Sequence, residues 1–135
     1  MNLLVDTSVW SLVLRRDAPA GVPEAEFLRA ALARGDSIVT TGLVLQEILQ
    51  GVAGAKMRTA IQERFAALPF LVPDRSDHIR AADLHGAARR KGIQVGTVDA
   101  LLAALCLRHD LTMLSTDADF KDLRKVAPLL IWTAK

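Results

Sequence analysis

Five short, mostly apolar runs punctuate this chain: Leu3–Val5, Ser37–Thr40, Phe70–Val72, Thr112–Ser115 and Leu129–Trp132. Stretches of this length bounded by turn and capping residues read as strands, and they are mostly apolar rather than alternating. Such strands are covered on both faces, which calls for a parallel sheet with helices on either side. The intervening segments supply the helices. Ser8–Leu14 is followed by a Pro- and Gly-containing loop; Glu24–Arg34 stops at Gly35; Leu43–Gln50, capped by Thr40 or Thr41, ends at Gly51. Lys56–Leu68 runs up to Pro69, a helix capped by Ser76 reaches Arg90 before Gly92, Thr97 caps Val98–His109, and Asp119–Val126 completes the set. The expected fold is a three-layer α/β/α sandwich with a short-stranded, mostly parallel sheet.

At 135 residues the chain fits one domain spanning 1–135, and no repeat, linker or low-complexity tract divides it. Hydrophobic content of 51% against 24% charged residues excludes a disordered chain. A net charge of +2 is too small for a basic nucleic-acid coat, so a nucleic-acid partner would need a local patch. The single cysteine, Cys106, rules out an internal disulfide and sits in Leu105-Cys106-Leu107, the setting of an inert buried thiol. No run approaches the roughly 20 apolar residues of a membrane helix, and Met1–Asp6 lacks the features of a signal peptide. The expectation is a cytoplasmic protein with no membrane partner.

Four carboxylates break this apolar pattern. Asp6 follows Leu3-Leu4-Val5, Glu47 interrupts Leu45-Gln46-Glu47-Ile48-Leu49, Asp99 is the only charge between Gly96 and Leu107, and Asp117 follows Met113-Leu114-Ser115-Thr116. Carboxylates are rarely buried without a partner, and these segments hold no matching set of Arg or Lys. A divalent cation is the natural common counter-charge. Ligands of open parallel sheets bind beyond the carboxyl ends of the strands, where Asp6 and Asp117 fall. Each acid also has an ordinary role: Asp6 or Asp117 as a helix cap, Asp99 in favourable contact with a helix dipole, Glu47 paired with an Arg. Asp119 fits a first-turn charge or the rim of the site. Four independent coincidences at one predicted crevice are the weaker account.

Other chemistries find little support. His78, His85 and His109 lie in helical segments with charged or polar neighbours, and no two share a motif. They read as solvated, which disfavours a histidine-pair ribonuclease and a zinc site. Gly51–Lys56 lacks the spacing and ending of a phosphate-binding loop. Arg15-Arg16 and Arg89-Arg90-Lys91 are candidate phosphate contacts, equally well explained as cations at helix carboxyl ends. Trp10 and Trp132 read as packing residues.

Leu3–Trp10, the mid-chain Glu47, Thr97–Ala104 and Leu114–Phe120 together resemble a PIN-domain ribonuclease, and more narrowly the VapC toxins of type II toxin–antitoxin modules. The resemblance runs over essentially the whole length. It implies that Asp6, Glu47, Asp99 and Asp117 form an acidic quartet binding Mg²⁺ or Mn²⁺, with Thr7 or Ser8, and Thr116, as accessory hydroxyls. In that scheme Asp6 and Asp99 hold the principal metal, Asp117 completes its shell, and Glu47 orients or deprotonates the attacking water. The products would carry a 5′-phosphate and a 3′-hydroxyl. The resemblance further implies RNA, such as tRNA, as substrate, a homodimer, and a VapB-like antitoxin whose tail covers the site. The segments Leu43–Val52 and Leu12–Leu14 are candidate interface surfaces. A non-catalytic PIN-like binding module and a structure-specific DNA nuclease are the competing readings. A haloacid-dehalogenase-type phosphatase or receiver domain lacks its second Asp or its Lys here.

Overall fold

In the computed structural model, which describes residues 1–15 and 17–134, five parallel strands form the order β3-β2-β1-β4-β5. They are β1 (Asn2–Val5), β2 (Ser37–Thr41), β3 (Phe70–Leu71), β4 (Thr112–Leu114) and β5 (Leu130–Ile131). Successive strand residues face opposite ways, so a strand buried at consecutive positions is covered on both sides. Leu3, Leu4, Val5, Met113 and Leu114 are all fully buried. This is the expected sandwich.

Among the described residues seven helices flank the sheet: α1 (Thr7–Leu14), α2 (Pro23–Arg34), α3 (Gly42–Gln50), α4 (Ala55–Ala66), α5 (Arg75–Arg90), α6 (Thr97–His109) and α7 (Ala118–Leu123). α1 packs on α2 and α3, while α6 packs on α5 and α7. Every residue of α6 from Ala100 to Cys106 is buried, as expected from a segment whose only charge is Asp99. Each fully buried leucine there contributes about 2 kcal/mol of transfer free energy, which fixes the helix that carries the acid. Trp10 is enclosed and packs against Phe65, with ring centroids 4.7 Å apart, and Trp132 stacks on Phe27 at 4.4 Å. Both tryptophans are packing residues. Cys106 is buried, and loss of solvation pushes its thiol far above the ordinary range.

Two caps differ from the expectation. Asp74, not Ser76, caps α5: its carboxylate accepts from Asp77 N–H at 3.0 Å while Asp77 accepts from Asp74 N–H at 2.9 Å. A carboxylate outcompetes a hydroxyl as acceptor, and Ser76 instead donates to Asp74 at 2.6 Å. That bond, the Asp77 amide and Arg108 hold Asp74 at about 2. At α6 the cap is Gly96 rather than Thr97, with no side-chain cap bond. α7 is also shorter than expected: Arg124, Lys125 and Val126 bond three residues back, tightening the chain ahead of Pro128.

Candidate active site

The sheet reverses its winding between β1 and β4, the position at which open α/β sheets bind ligands. Val5 pairs with Leu114, so the next residues, Asp6 and Ser115, emerge side by side from adjacent strand ends. Asp6 N–H donates to Leu114 O at 2.9 Å, which continues the ladder. Asp6 occupies the N-cap position of α1 yet makes no side-chain cap bond. Its Oδ2 accepts from the hydroxyls of Ser8 and Ser115, both at 2.9 Å. The carboxylate is thus held by one hydroxyl of α1 and one at the end of β4 rather than by the backbone amides of its helix.

Asp117, by contrast, does cap its helix: Oδ1 accepts from Asp119 N–H at 2.9 Å, and its own N–H donates to Ser115 Oγ at the same distance. Asp119 Oδ2 accepts from Gly96 N–H at 3.3 Å, which ties α7 to the amino end of α6 and to Asp99. Gly96 is the cap whose hypothetical Cβ would lie 3.8 Å from Asp99 Oδ2. Asp99, Asp117 and Asp119 each present a carboxylate oxygen, and these oxygens lie within 4.8 Å of one another.

Electrostatics single out Asp99. Loss of solvation raises its carboxyl to about 8, helped by a hydrogen bond shared with Asp119 and by repulsion from Asp6, Asp117 and Asp119. Three carboxylates, one at the end of β1 and two at the start of α7, therefore act on a fourth. Glu47 stands apart from that trio, exposed on α3, with Oε1 accepting from Thr7 Oγ1 at 2.8 Å. Thr7 is the residue after Asp6, so the bond connects Glu47 to the site through α1.

The structure thus places Asp6, Asp99 and Asp117 around one crevice and Glu47 beside it through Thr7. It also promotes two residues. Asp119 belongs to the converging oxygens rather than to a rim. The second hydroxyl at the site is Ser115, not Thr116, which contributes only its backbone N–H to Ser8 Oγ at 3.2 Å. The signal for Ser115 was its position, one residue past the end of the strand that pairs with β1. Of the expected basic groups, Arg15 pairs with Asp17 at 3.4 Å on the surface, and Arg16 lies outside the described residues.

A PIN-domain family model matches residues 3–126. The chain is 32% identical over 129 residues to Ribonuclease VapC11 of Mycobacterium tuberculosis, covering 94% of this chain and 95% of that one. The chain belongs to the PIN-domain family, among the VapC ribonucleases. Solved structures agree on the fold. VapBC2 from Rickettsia felis, bound to a promoter DNA fragment, superposes with a TM-score of 0.76 at 16% identity over the full length of both chains. Mycobacterium tuberculosis VapC20, a toxin that cleaves the sarcin–ricin loop, superposes at 0.67 with 17% identity, over 89% of this chain and 93% of that one. In this PIN-domain chain the acids meet where the strand order reverses.

Proposed function

We propose that this PIN-domain protein is a metal-dependent endoribonuclease, with residues 1–135 as one nuclease domain, acting as the toxin of a toxin–antitoxin pair. The observation that carries the reading is Asp99, a carboxyl raised to about 8 by loss of solvation and by neighbouring acids drawn from two other segments, the end of β1 and the start of α7. Such a constellation is unfavourable on its own and calls for a cation. The donor set fits a hard divalent ion: carboxylate oxygens within 4.8 Å of one another, with neither imidazole nor thiolate among them. Asp6, Asp99 and Asp117 would hold Mg²⁺ or Mn²⁺, with Asp119 as a further ligand or support. Bound there, the ion supplies positive charge to a phosphoryl oxygen and acidifies a coordinated water.

The chain's own groups have distinct tasks. Ser8 and Ser115 both donate to Asp6 Oδ2, which fixes the carboxylate and leaves Oδ1 for the crevice. Glu47 is exposed and oriented by Thr7 through Oε1, so Oε2 is available to align a water or accept its proton. Attack of that water on phosphorus breaks the bond to the 3′-oxygen, leaving a 5′-phosphate and a 3′-hydroxyl. Beside Glu47 lies a cavity of about 310 Å³ whose walls include Leu14, Ile48, Val52 and Ile61. It combines both expected interface segments and is where the tail of a VapB-like antitoxin would lie; a homodimer and a cytoplasmic location complete the proposal. No helix among the described residues is long and apolar enough to cross a membrane.

The test is cleavage of total RNA, including tRNA, by the purified protein with MgCl₂ or EDTA, alongside Asp6→Asn and Asp99→Asn. Wild-type cutting should require the ion, leave 5′-phosphates, and fall more than about a hundredfold in either variant, beyond what loss of a supporting hydrogen bond causes. Cutting that survives EDTA, or 2′,3′-cyclic phosphate ends, would overturn the mechanism. Preferential cutting of DNA would favour the structure-specific DNA nuclease.

A further inference from the structure

The acidic crevice attracts an ion, but it repels the RNA strand on either side of the bond to be cut. Groups that hold the flanking strand must therefore lie beside the acids and carry donors or positive charge. One groove meets that requirement. Along α5, His78, Ala82, His85 and Arg89 recur at helical spacing and form a single stripe. This stripe borders two adjoining cavities that share His85. The first, of about 310 Å³, is lined by His78, Ala81, Ala82 and His85 on one side and by Thr97, Ala100 and Leu101 of α6 on the other. The second, of about 640 Å³, runs from His85 and Arg89 to Ile93, Gln94, Val95 and Gly96. Gly96 is the cap that bonds Asp119 and abuts Asp99, so the second cavity ends at the acid cluster.

We propose that this α5–α6 groove is a substrate subsite for the nucleotide adjoining the scissile phosphate. It rests on the ribonuclease reading above. The first cavity has an apolar floor of alanine and leucine between two imidazoles, the surroundings that hold an unstacked base in single-stranded RNA recognition. Arg89 is exposed at the far end of the stripe, and the ion pairs among the described residues do not engage it. Its guanidinium is thus available to a phosphate, and Gln94 offers a second donor from the facing loop. Base in the first cavity and phosphate on Arg89 would place the next phosphodiester at Asp99. The occupant is a single strand, because a paired base cannot enter a pocket of this kind.

Three variants test the subsite. Ala82→Trp fills the base cavity from an exposed position, Arg89→Gln removes the phosphate contact, and Arg80→Gln removes the same charge nine residues away, on the opposite face of α5. Binding of a labelled single-stranded RNA is measured by anisotropy with MgCl₂ in the Asp6→Asn background, so that the probe stays intact. Ala82→Trp should weaken binding about tenfold without changing its salt dependence. Arg89→Gln should weaken it and reduce the slope of log affinity against log salt by about 0.7, one single-strand phosphate contact. Arg80→Gln should do neither, and all three should melt as the parent does. Parent-like binding by folded Ala82→Trp and Arg89→Gln, equal losses with Arg80→Gln, or no RNA binding by the parent overturns the subsite. Binding that depends on the groove, with no cutting by the native protein, instead sinks the ribonuclease reading and leaves the groove standing.

Discussion

Replacing Asp99 with Asn should stabilise the metal-free protein, and only at the upper end of the pH range. In the folded chain the Asp99 carboxyl is raised from 3.8 to about 8, so between those values the native state holds a proton that the unfolded chain has released. Stability therefore falls as pH rises through this window, and the penalty is complete once pH exceeds the folded value. At 1.36 kcal/mol per unit the whole shift corresponds to about 6 kcal/mol. The side chain is only partly buried, so solvent screening reduces that to about 1–2 kcal/mol. Asparagine has the same shape and never ionises. In EDTA its melting temperature should match the wild type near pH 5 and exceed it by about 4–7 °C near pH 8.

The assay is thermal unfolding of both proteins across that range, repeated with MgCl₂. The ion should raise the wild-type midpoint most where Asp99 would otherwise be ionised, and raise the Asn variant less. A gap between the two proteins that does not change with pH would show that Asp99 is not under electrostatic stress. A variant less stable than wild type near pH 8 would show that its carboxylate is already well compensated by the protein. Either result removes the physical basis for a cation at this crevice.

Substitutions at two positions and one labelling experiment probe separate parts of the structure. Ser115→Ala deletes a donor to Asp6 and the acceptor for Asp117 N–H, and should lower metal affinity about 10–100-fold by calorimetry with little loss of melting temperature. Arg108 bridges Asp74 and Asp77 at 2.7 Å each, and Asp77 is only 2% exposed. Arg108→Ala should therefore cost about 2–3 kcal/mol in urea unfolding, with Arg108→Lys recovering part of it. Cys106 should resist maleimide in the native state and react on unfolding, because the thiol is buried and held protonated.

Legibility in the sequence followed the range of the interactions involved. The strands and α6 were readable because their signal is local: consecutive apolar residues fix burial whatever lies across from them. Asp99 stood out for the same reason, as the lone charge in a buried helix. Glu47 is legible as a charge on an apolar stripe, and the structure shows that stripe closing on the core at Val44 and Ile48 while a cavity opens beside Glu47 itself. Caps were less readable, since Asp74 and Ser76 are both good capping residues and the choice depends on Asp77 completing the reciprocal bond. Ser115 was hidden, and the weight of Asp119 underestimated, for a different reason. Ser115 matters through the pairing of β1 with β4, and Asp119 through Gly96, partners that no local pattern announces.

That dependence on distant partners also explains how the site tolerates its own repulsion. Asp6 follows β1, Asp99 rides on α6, and Asp117 and Asp119 begin α7. Each backbone is held by buried neighbours: Leu4 and Val5, Leu102 and Leu105, Phe120 and Leu123. Moving one acid away from the others would mean withdrawing such side chains from the core, at about 2 kcal/mol for each one exposed. Protonating Asp99 costs less at neutral pH, so the metal-free crevice keeps its shape and takes up a proton. A cation that displaces this proton meets ligands already in place, and it need not order four side chains on arrival. The raised carboxyl of Asp99 and the affinity of the crevice for an ion are then two measures of one repulsion, and a substitution that relieves the first must weaken the second.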